Sequence, residues 1–198
     1  MDKALLRMPI METERLILRP VNIKDVNDMY EYGTDKEVTK YLLWKPYEKI
    51  MDAYWSIENI FYKRLDNNLP EAYALVLKSE NKMIGMCDFV SMNEKSRCAE
   101  IGYVLNRHYW GKGLMVEACK ELIKLGFERF HLVRIQIAHI TDNYQSQRVI
   151  EKLGFVYEGI KRKGVIKWDG SIHNIKTYSI IDDDYFQKSL PWQKKELI

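Results

Sequence analysis

Hydrophobic and polar positions along this chain follow two periods, and the switches between them outline the elements. Thr13 to Arg19 is rich in aliphatic residues and stops at Pro20, which predicts an opening strand. Asn22 is placed to cap a helix over Lys24 to Tyr32, with Gly33 ending it, and a second helical stretch covers Glu37 to Leu43. From Glu48 to Leu65 the apolar residues Ile50, Met51, Tyr54, Ile57, Ile60, Phe61 and Leu65 keep helical spacing until Asn67-Asn68. Strands are expected over Ala72–Leu77 and Met83–Ser91, around the turn residues Ser79-Glu80-Asn81, and again over Cys98–Leu105. The period then returns to that of a long amphipathic helix from Gly113 to Phe130, carried by Leu114, Met115, Ala118, Cys119, Leu122, Ile123 and Phe127. Leu132–Ile140 reads as strand. Asp142 opens a short helix to Leu153 that Gly154 closes. Phe155–Ile160 and His173–Ile181 read as strands, with Trp168-Asp169-Gly170 as a turn between them. This order predicts a mixed α/β domain with one strand–helix–strand crossover at its centre.

Length and composition narrow the picture. A chain of 198 residues suits one domain that buries its own core. With 46% hydrophobic and 30% charged residues the balance is that of a folded globular protein. The longest apolar run, Ala72 to Leu77, is far short of the ~20 residues that span a bilayer, and no signal peptide is visible after Met1. Cys87, Cys98 and Cys119 are odd in number and lack C-x-x-C spacing, so reduced thiols in a cytoplasmic protein are expected. The net charge of +3 is too small to argue for nucleic acid, and Lys161-Arg162-Lys163, Lys194-Lys195 and Asp182-Asp183-Asp184 read as solvated runs. His131, His139 and His173 show no ligand spacing, so no metal is expected. Nine of the 24 aromatic residues fall between Tyr30 and Tyr62, chiefly as packing, with one or two free to read a substrate.

The chemistry concentrates where the strand ending at Leu105 enters a loop with Gly111 and Gly113 that opens the long helix. The first N–H groups of a helix are unpaired, the macrodipole adds partial positive charge, and glycine lets phosphate oxygens approach the backbone. A phosphate or pyrophosphate site follows, although a tight turn needs the same glycines. Neither a P-loop nor a G-x-G-x-x-G fingerprint is present.

This loop resembles the acetyl-CoA loop of the GNAT N-acetyltransferases, Q/R-x-x-G-x-G/A. It falls on His108 to Gly113, with His108 in place of Gln or Arg. Tyr109-Trp110-Gly111-Lys112-Gly113 with Glu117-Ala118, and the opening Thr13-x-Arg15-Leu16-x-Leu18-Arg19, resemble the branch that acetylates ribosomal-protein N-termini. So do Asn143-x-x-Ser146, Glu151 to Phe155, and Glu158-Gly159; the likeness runs from about Thr13 to Ile181, leaving 182–198 as a C-terminal tail of a single domain. The resemblance implies a strongly twisted mixed sheet flanked by helices, with acetyl-CoA as co-substrate. It assigns cofactor binding to His108, Tyr109, Trp110, Gly111, Lys112, Gly113 and Leu114, to the backbone of Val104 and Leu105, and to Asn143 and Ser146. The implied acceptor is a protein N-terminus, and homodimers are frequent in that branch.

Acetyl transfer to an amine needs an anchored thioester, a polarised carbonyl, a neutral amine and a protonated leaving thiolate. An α-amine with a pKa near 8 is roughly a tenth neutral at pH 7, whereas a lysine-type amine near 10.4 is neutral in about four molecules per ten thousand. A general base is therefore expected, and Glu100 is the candidate; the alternative is a structural carboxylate paired with Arg97 or Arg134. The family's acid tyrosine would fall on Ile150, so Ser146 takes that role, or else is an ordinary first-turn residue. Asn143 either holds the pantetheine amides or caps the helix. The rival functions are acetylation of a polyamine, antibiotic or amino-acid amine, and a non-catalytic CoA-binding module.

Overall fold

The computed structural model describes residues 3–193, so the Lys194-Lys195 run lies outside the described residues. Eight strands form one sheet: β1 (Met11–Glu12), β2 (Leu16–Pro20), β3 (Tyr73–Leu77), β4 (Lys82–Asn93), β5 (Cys98–Leu105), β6 (Arg134–Ile140), β7 (Val156–Ile166) and β8 (Ile172–Ile181). Their order across the sheet is β1-β2-β3-β4-β5-β6-β8-β7. Only β5 and β6 run parallel, because the helix α5 (Leu114–Glu128) carries the chain back over the sheet between them. This is the central crossover that the periodicity predicts.

Helices cover both faces. On one, α5 and α6 (Tyr144–Leu153) pack Leu122, Ile123, Phe127, Ile150 and Leu153 against Phe89, Ile101, Ile135 and Ile137. On the other, α2 (Val26–Thr34), the single turn α3 (Lys36–Thr39), α4 (Ile50–Ser56) and the residue after it bring Met29, Tyr32, Val38, Ala53 and Ile57 onto Ala74, Val76, Met83 and Met86. A short α1 (Lys3–Leu6) buries Leu6 at the sheet's first edge.

Several boundaries differ from the sequence expectation for local physical reasons. The helix after Asp142 is capped by Asn143, whose Oδ1 accepts from the Ser146 N–H at 3.1 Å. Gly33 does not end α2 but lies inside it, where a Cβ would collide with the Tyr47 ring. The helical run from Glu48 stops as α-helix at Ser56 and continues as a π-turn over Ile57–Phe61, with Tyr62 N–H bonded to the Ile57 carbonyl at 2.9 Å. β7 extends to Ile166, through the charged run Lys161-Arg162-Lys163, because its pairing with β8 continues past two irregularities. An edge strand leaves such charges in water, so polarity there does not end it.

The described part of the expected tail, residues 182–193, packs onto the fold. α7 (Asp182–Phe186) buries Tyr185 against Phe127, with ring centroids 4.9 Å apart, and Leu190 is buried beside it. The Trp192 indole then donates to the Leu153 carbonyl at 3.0 Å.

One buried ion pair ties the segment that follows the π-turn to the sheet. Arg64 donates to Asp88 at 2.7 Å, to the Phe89 carbonyl at 2.7 Å and to the Pro70 carbonyl at 2.5 Å. Burial raises the Asp88 carboxyl above its ordinary range, with Arg64 opposing. Such a pair holds the chain after the π-turn against β4.

Candidate acetyl-CoA site

The site begins with an interrupted strand pair. β5 and β6 pair only from Cys98 to Glu100 against Arg134 to Gln136, whereas β4 follows β5 as far as Leu105. Beyond Glu100 the two parallel strands separate, leaving one edge of β5 without a strand partner. The Asn106 N–H bonds to the Ile84 carbonyl at 2.8 Å, which fixes the phase of the β4–β5 ladder. By antiparallel alternation, Val104 turns its backbone groups toward β4, while those of Tyr103 and Leu105 face the gap. Tyr103, Val104 and Leu105 all line the opening, the first and last with backbone groups that face it. The Leu105 carbonyl is already engaged by the Trp110 indole N–H at 2.8 Å.

A cavity of about 560 Å³ fills this gap. Its floor is Tyr103 to Leu105. One wall is the glycine loop and the start of α5, and a second is α6. The third, Glu37, Val38, Tyr41 and Leu42, belongs to α3 and the residues after it. Of the nine clustered aromatic residues between Tyr30 and Tyr62, Tyr41 alone lines the cavity.

The loop is held firmly in shape. Asn106 Oδ1 accepts from the His108 N–H at 3.1 Å and starts a 3-10 turn over Arg107–Tyr109. The Tyr109 hydroxyl donates to Glu80 at 2.5 Å; burial, with this carboxylate's help, raises its pKa to about 12. Gly111 and Gly113 have φ of +75° and +77°, a region that costs other residues roughly 1–2 kcal/mol. A Cβ on Gly111 would meet no atom within 4 Å, so the backbone there faces open space. Tyr109, Trp110, Gly111, Gly113 and Leu114 line the cavity; His108 and Lys112 stand outside its walls.

On α6, Asn143 and Ser146 reach the cavity together with Gln145, Arg148, Val149 and Lys152, a stripe at helical spacing. Arg148 and Lys152 add positive charge to this wall. Ser146 Oγ lies 2.7 Å from the Tyr103 hydroxyl. Burial pushes the Tyr103 pKa well up, and the bond to Ser146 only partly offsets that, so the phenol keeps its proton.

Glu100 occupies the last β5 position still paired with β6 and does not line the cavity. Its Oε2 accepts from Gln136 Nε2 at 2.8 Å. Neither expected arginine pairs with it: Arg134 forms a two-pronged contact with Glu158, at 2.5 and 2.6 Å, and Arg97 faces the His131 carbonyl.

Sequence reading missed Tyr103, Arg148, Lys152 and Glu37. The α6 stripe carried a signal, because residues 145, 148, 149 and 152 share one helical face. Tyr103 carried none, since its partner Ser146 is brought across only by the crossover.

Together these features suit a long anionic thioester. Positive-φ glycines stand at the N-terminus of α5, Arg148 and Lys152 line the same cavity, and β5 has no strand partner on that side beyond Glu100. Among the described residues no cluster of His, Cys, Asp and Glu is arranged to hold a metal, and no helix is long and apolar enough to cross a membrane.

The fold and cleft define an acetyl-CoA-dependent acyltransferase. Residues 15–156 match the family model described as the acetyltransferase (GNAT) domain, and the chain belongs to that family. It is 32% identical over 178 residues to the uncharacterized N-acetyltransferase p20 of Bacillus licheniformis, covering 90% of this chain and 99% of that one. A GNAT-family acetyltransferase structure from Bacillus anthracis superposes with a TM-score of 0.76 at 27% identity, covering 88% of this chain and 99% of the other. The spermidine N(1)-acetyltransferase of Escherichia coli K12 is 25% identical over 142 residues, 72% of this chain and 73% of that protein. Relatives named for polyamine and for ribosomal acceptors both match, so the likeness is to the family as a whole rather than to its ribosomal branch.

Gly111→Val is expected to weaken acetyl-CoA binding at least tenfold, because the side chain fills the space in front of the loop and closes off the backbone. Gly111→Ala carries the same φ strain with less bulk and should fall between. Calorimetric titration of both, with melting temperatures, separates lost space from lost stability.

Proposed function

We propose that this acetyltransferase acts on a small-molecule amine that enters beside α3, rather than on a protein N-terminus. The observation that carries this reading is the charge arrangement of the cavity. Its cations, Arg148 and Lys152, lie on the α6 wall with the cofactor loop, whereas its one carboxylate, Glu37, lies on the α3 wall. A cationic amine is drawn to the second wall and an anionic cofactor to the first. The match to a spermidine acetyltransferase over most of both chains supports the same class of acceptor. The second reading, a protein α-amine, rests on the Thr13-to-Arg19, Tyr109-to-Gly113 and Asn143-x-x-Ser146 likeness to the ribosomal branch.

In this mechanism the amine nitrogen attacks the thioester carbonyl carbon, and the N–H groups of Tyr103 or Leu105 take the developing oxyanion. Donors aimed in this way are worth on the order of 3 kcal/mol each. The C–S bond then breaks, the thiolate takes the Ser146 hydroxyl proton, and the proton leaving the newly acylated nitrogen restores Ser146, while the Tyr103 hydroxyl holds Ser146 in place and keeps its own proton. Asn143 has two tasks: its Oδ1 caps α6, and its amide N–H₂ remains for the pantetheine arm. Glu100 takes the proton of the attacking ammonium. Four residue steps along β5, about 13 Å of strand, separate it from Val104, so the proton crosses through water. Gln136 steadies the carboxylate and leaves Oε1 free for that exchange.

An acceptor screen that detects released thiol tests the first claim. Spermidine or another small amine is expected to exceed every N-terminal peptide in kcat/KM by about tenfold, roughly 1.4 kcal/mol. A peptide that exceeds all small amines reverses the assignment.

For the base, Glu100→Gln should lower kcat by about 10²- to 10⁴-fold near neutral pH and recover partly at alkaline pH, where the amine loses its proton unaided. An unchanged pH–rate profile would leave Glu100 a structural carboxylate.

For the acid, Ser146→Ala should slow turnover more than it weakens acetyl-CoA binding. Its melting temperature should move little, because Asn143 rather than Ser146 caps the helix. Measuring kcat, affinity and melting on one preparation decides between proton donor and first-turn residue.

A further inference from the structure

Two motifs far apart in sequence, Thr13-x-Arg15 before β2 and Glu117 in the first turn of α5, meet beside the glycine loop. The Thr13 hydroxyl and the Arg15 N–H both donate to Glu117 Oε1, at 2.5 and 2.9 Å. Arg15 Nε and Nη2 grip Glu117 Oε2 at 2.7 and 2.6 Å. The remaining guanidinium nitrogen, Nη1, donates to the Lys112 carbonyl at 2.8 Å. That last bond turns a structural ion pair into a hand on the loop. In a trans peptide the N–H points opposite to the C=O, so fixing the Lys112 carbonyl toward Arg15 aims the Gly113 N–H the other way. Gly113 lines the cavity and caps α5.

We propose that Arg15 is a positioning residue for the cofactor's pyrophosphate: it orients the Lys112–Gly113 peptide so that the Gly113 N–H is presented to the anion, while Glu117 holds Arg15 in place. The proposal rests on the reading of the Gly111/Gly113 loop as the pyrophosphate cradle.

Charge gives Arg15 a second effect. A carboxylate in the first turn of a helix is favoured by the macrodipole but repels a pyrophosphate bound at the same N-terminus. Burial works against the charged form of Glu117, yet the Thr13 and Arg15 donors outweigh it and hold its carboxyl below the ordinary range. Arg15 cancels that negative charge locally. The guanidinium fork suits this task because it serves two acceptors, the carboxylate and the carbonyl, at fixed angles, which a lysine ammonium does not. The would-be Cβ of Gly113 lies 3.7 Å from Arg15 Nη2, an ordinary contact, so it is the φ of +77° rather than the fork that calls for glycine there.

The test compares two donors, acetyl-CoA and S-acetylpantetheine, the second of which ends before the pyrophosphate and the 3′-phosphoadenosine beyond it. Dissociation constants are measured by calorimetry for the first and by NMR titration for the second. Arg15→Met is expected to weaken acetyl-CoA binding by about tenfold or more, the scale of one hydrogen bond to a charged group, and to leave S-acetylpantetheine within about twofold. Arg15→Lys should recover only part of the loss. Glu117→Gln, which keeps the Thr13 and Arg15 backbone bonds, releases the Arg15 side chain but also removes the repelling carboxylate, so it should weaken acetyl-CoA less than Arg15→Met does and leave S-acetylpantetheine unchanged; it serves where Arg15→Met does not fold. Equal losses for both donors would mean that Arg15 acts only on general stability, and the proposal falls. A wild-type preference for acetyl-CoA that survives in both variants overturns the clamp while leaving the cradle standing. No wild-type preference overturns cradle and clamp together.

Discussion

The separation of β5 from β6 after Glu100 is the constraint on which the rest of the site depends. Parallel strands joined by a crossover helix gain their pairing from evenly spaced, slanted bonds, and here that pairing stops after three residues. What is given up in sheet hydrogen bonds reappears as an unpaired strand edge and a cavity. The same divergence lets the glycine loop turn directly into α5 and lets α6 reach across to meet Tyr103. Everything placed on the cleft, including the Ser146–Tyr103 contact and the Arg148/Lys152 wall, follows from two strands that start together and part.

Around that opening the structure spends polar interactions on keeping loops rigid. Asn106 shapes the turn before Trp110, Tyr109 is anchored on Glu80, and Trp110 closes on the Leu105 carbonyl. Arg107 reaches Asp35 at 3.0 Å, which ties the loop to the wall formed by α3. A cofactor that arrives with several charges meets a frame already set, so little of its binding energy goes into ordering the protein.

Much of this was legible in the sequence, and the reason is that repeating local patterns were respected. The long helix from Leu114 and the strand from Cys98 to Leu105 sit where periodicity puts them, because both bury one full face. The glycine loop was legible because positive φ demands glycine at a helix start. Other features depend on meetings that no local pattern records. Gly33 reads as a helix stop until Tyr47 is seen pressed against it. The polar stretch from Lys161 reads as a loop until β8 pairs with it. The residues from Asp182 read as a tail until Tyr185 and Trp192 find α5 and α6. The same holds for the site: Gly111 was readable alone, whereas Tyr103 gained a meaning only from Ser146. The arginines expected to pair with Glu100 are drawn elsewhere, Arg134 by Glu158, which lies across β8 on β7.

The strand order has a consequence for how the chain assembles during synthesis. β8 is the last strand in sequence, yet it lies between β6 and β7 in the sheet. As the chain emerges, β7 has no neighbour to pair with, and Val156, Tyr157, Ile160 and Ile166 stand exposed even in the finished fold. The half of the sheet from β1 to β6 can form first, with its helices in place. The far half closes only when β8 slides into the waiting slot and zips β7 onto the edge. A nascent chain stalled before Ile172 therefore displays two unsatisfied strand edges at once, the kind of intermediate that chaperones capture and that aggregates when they do not.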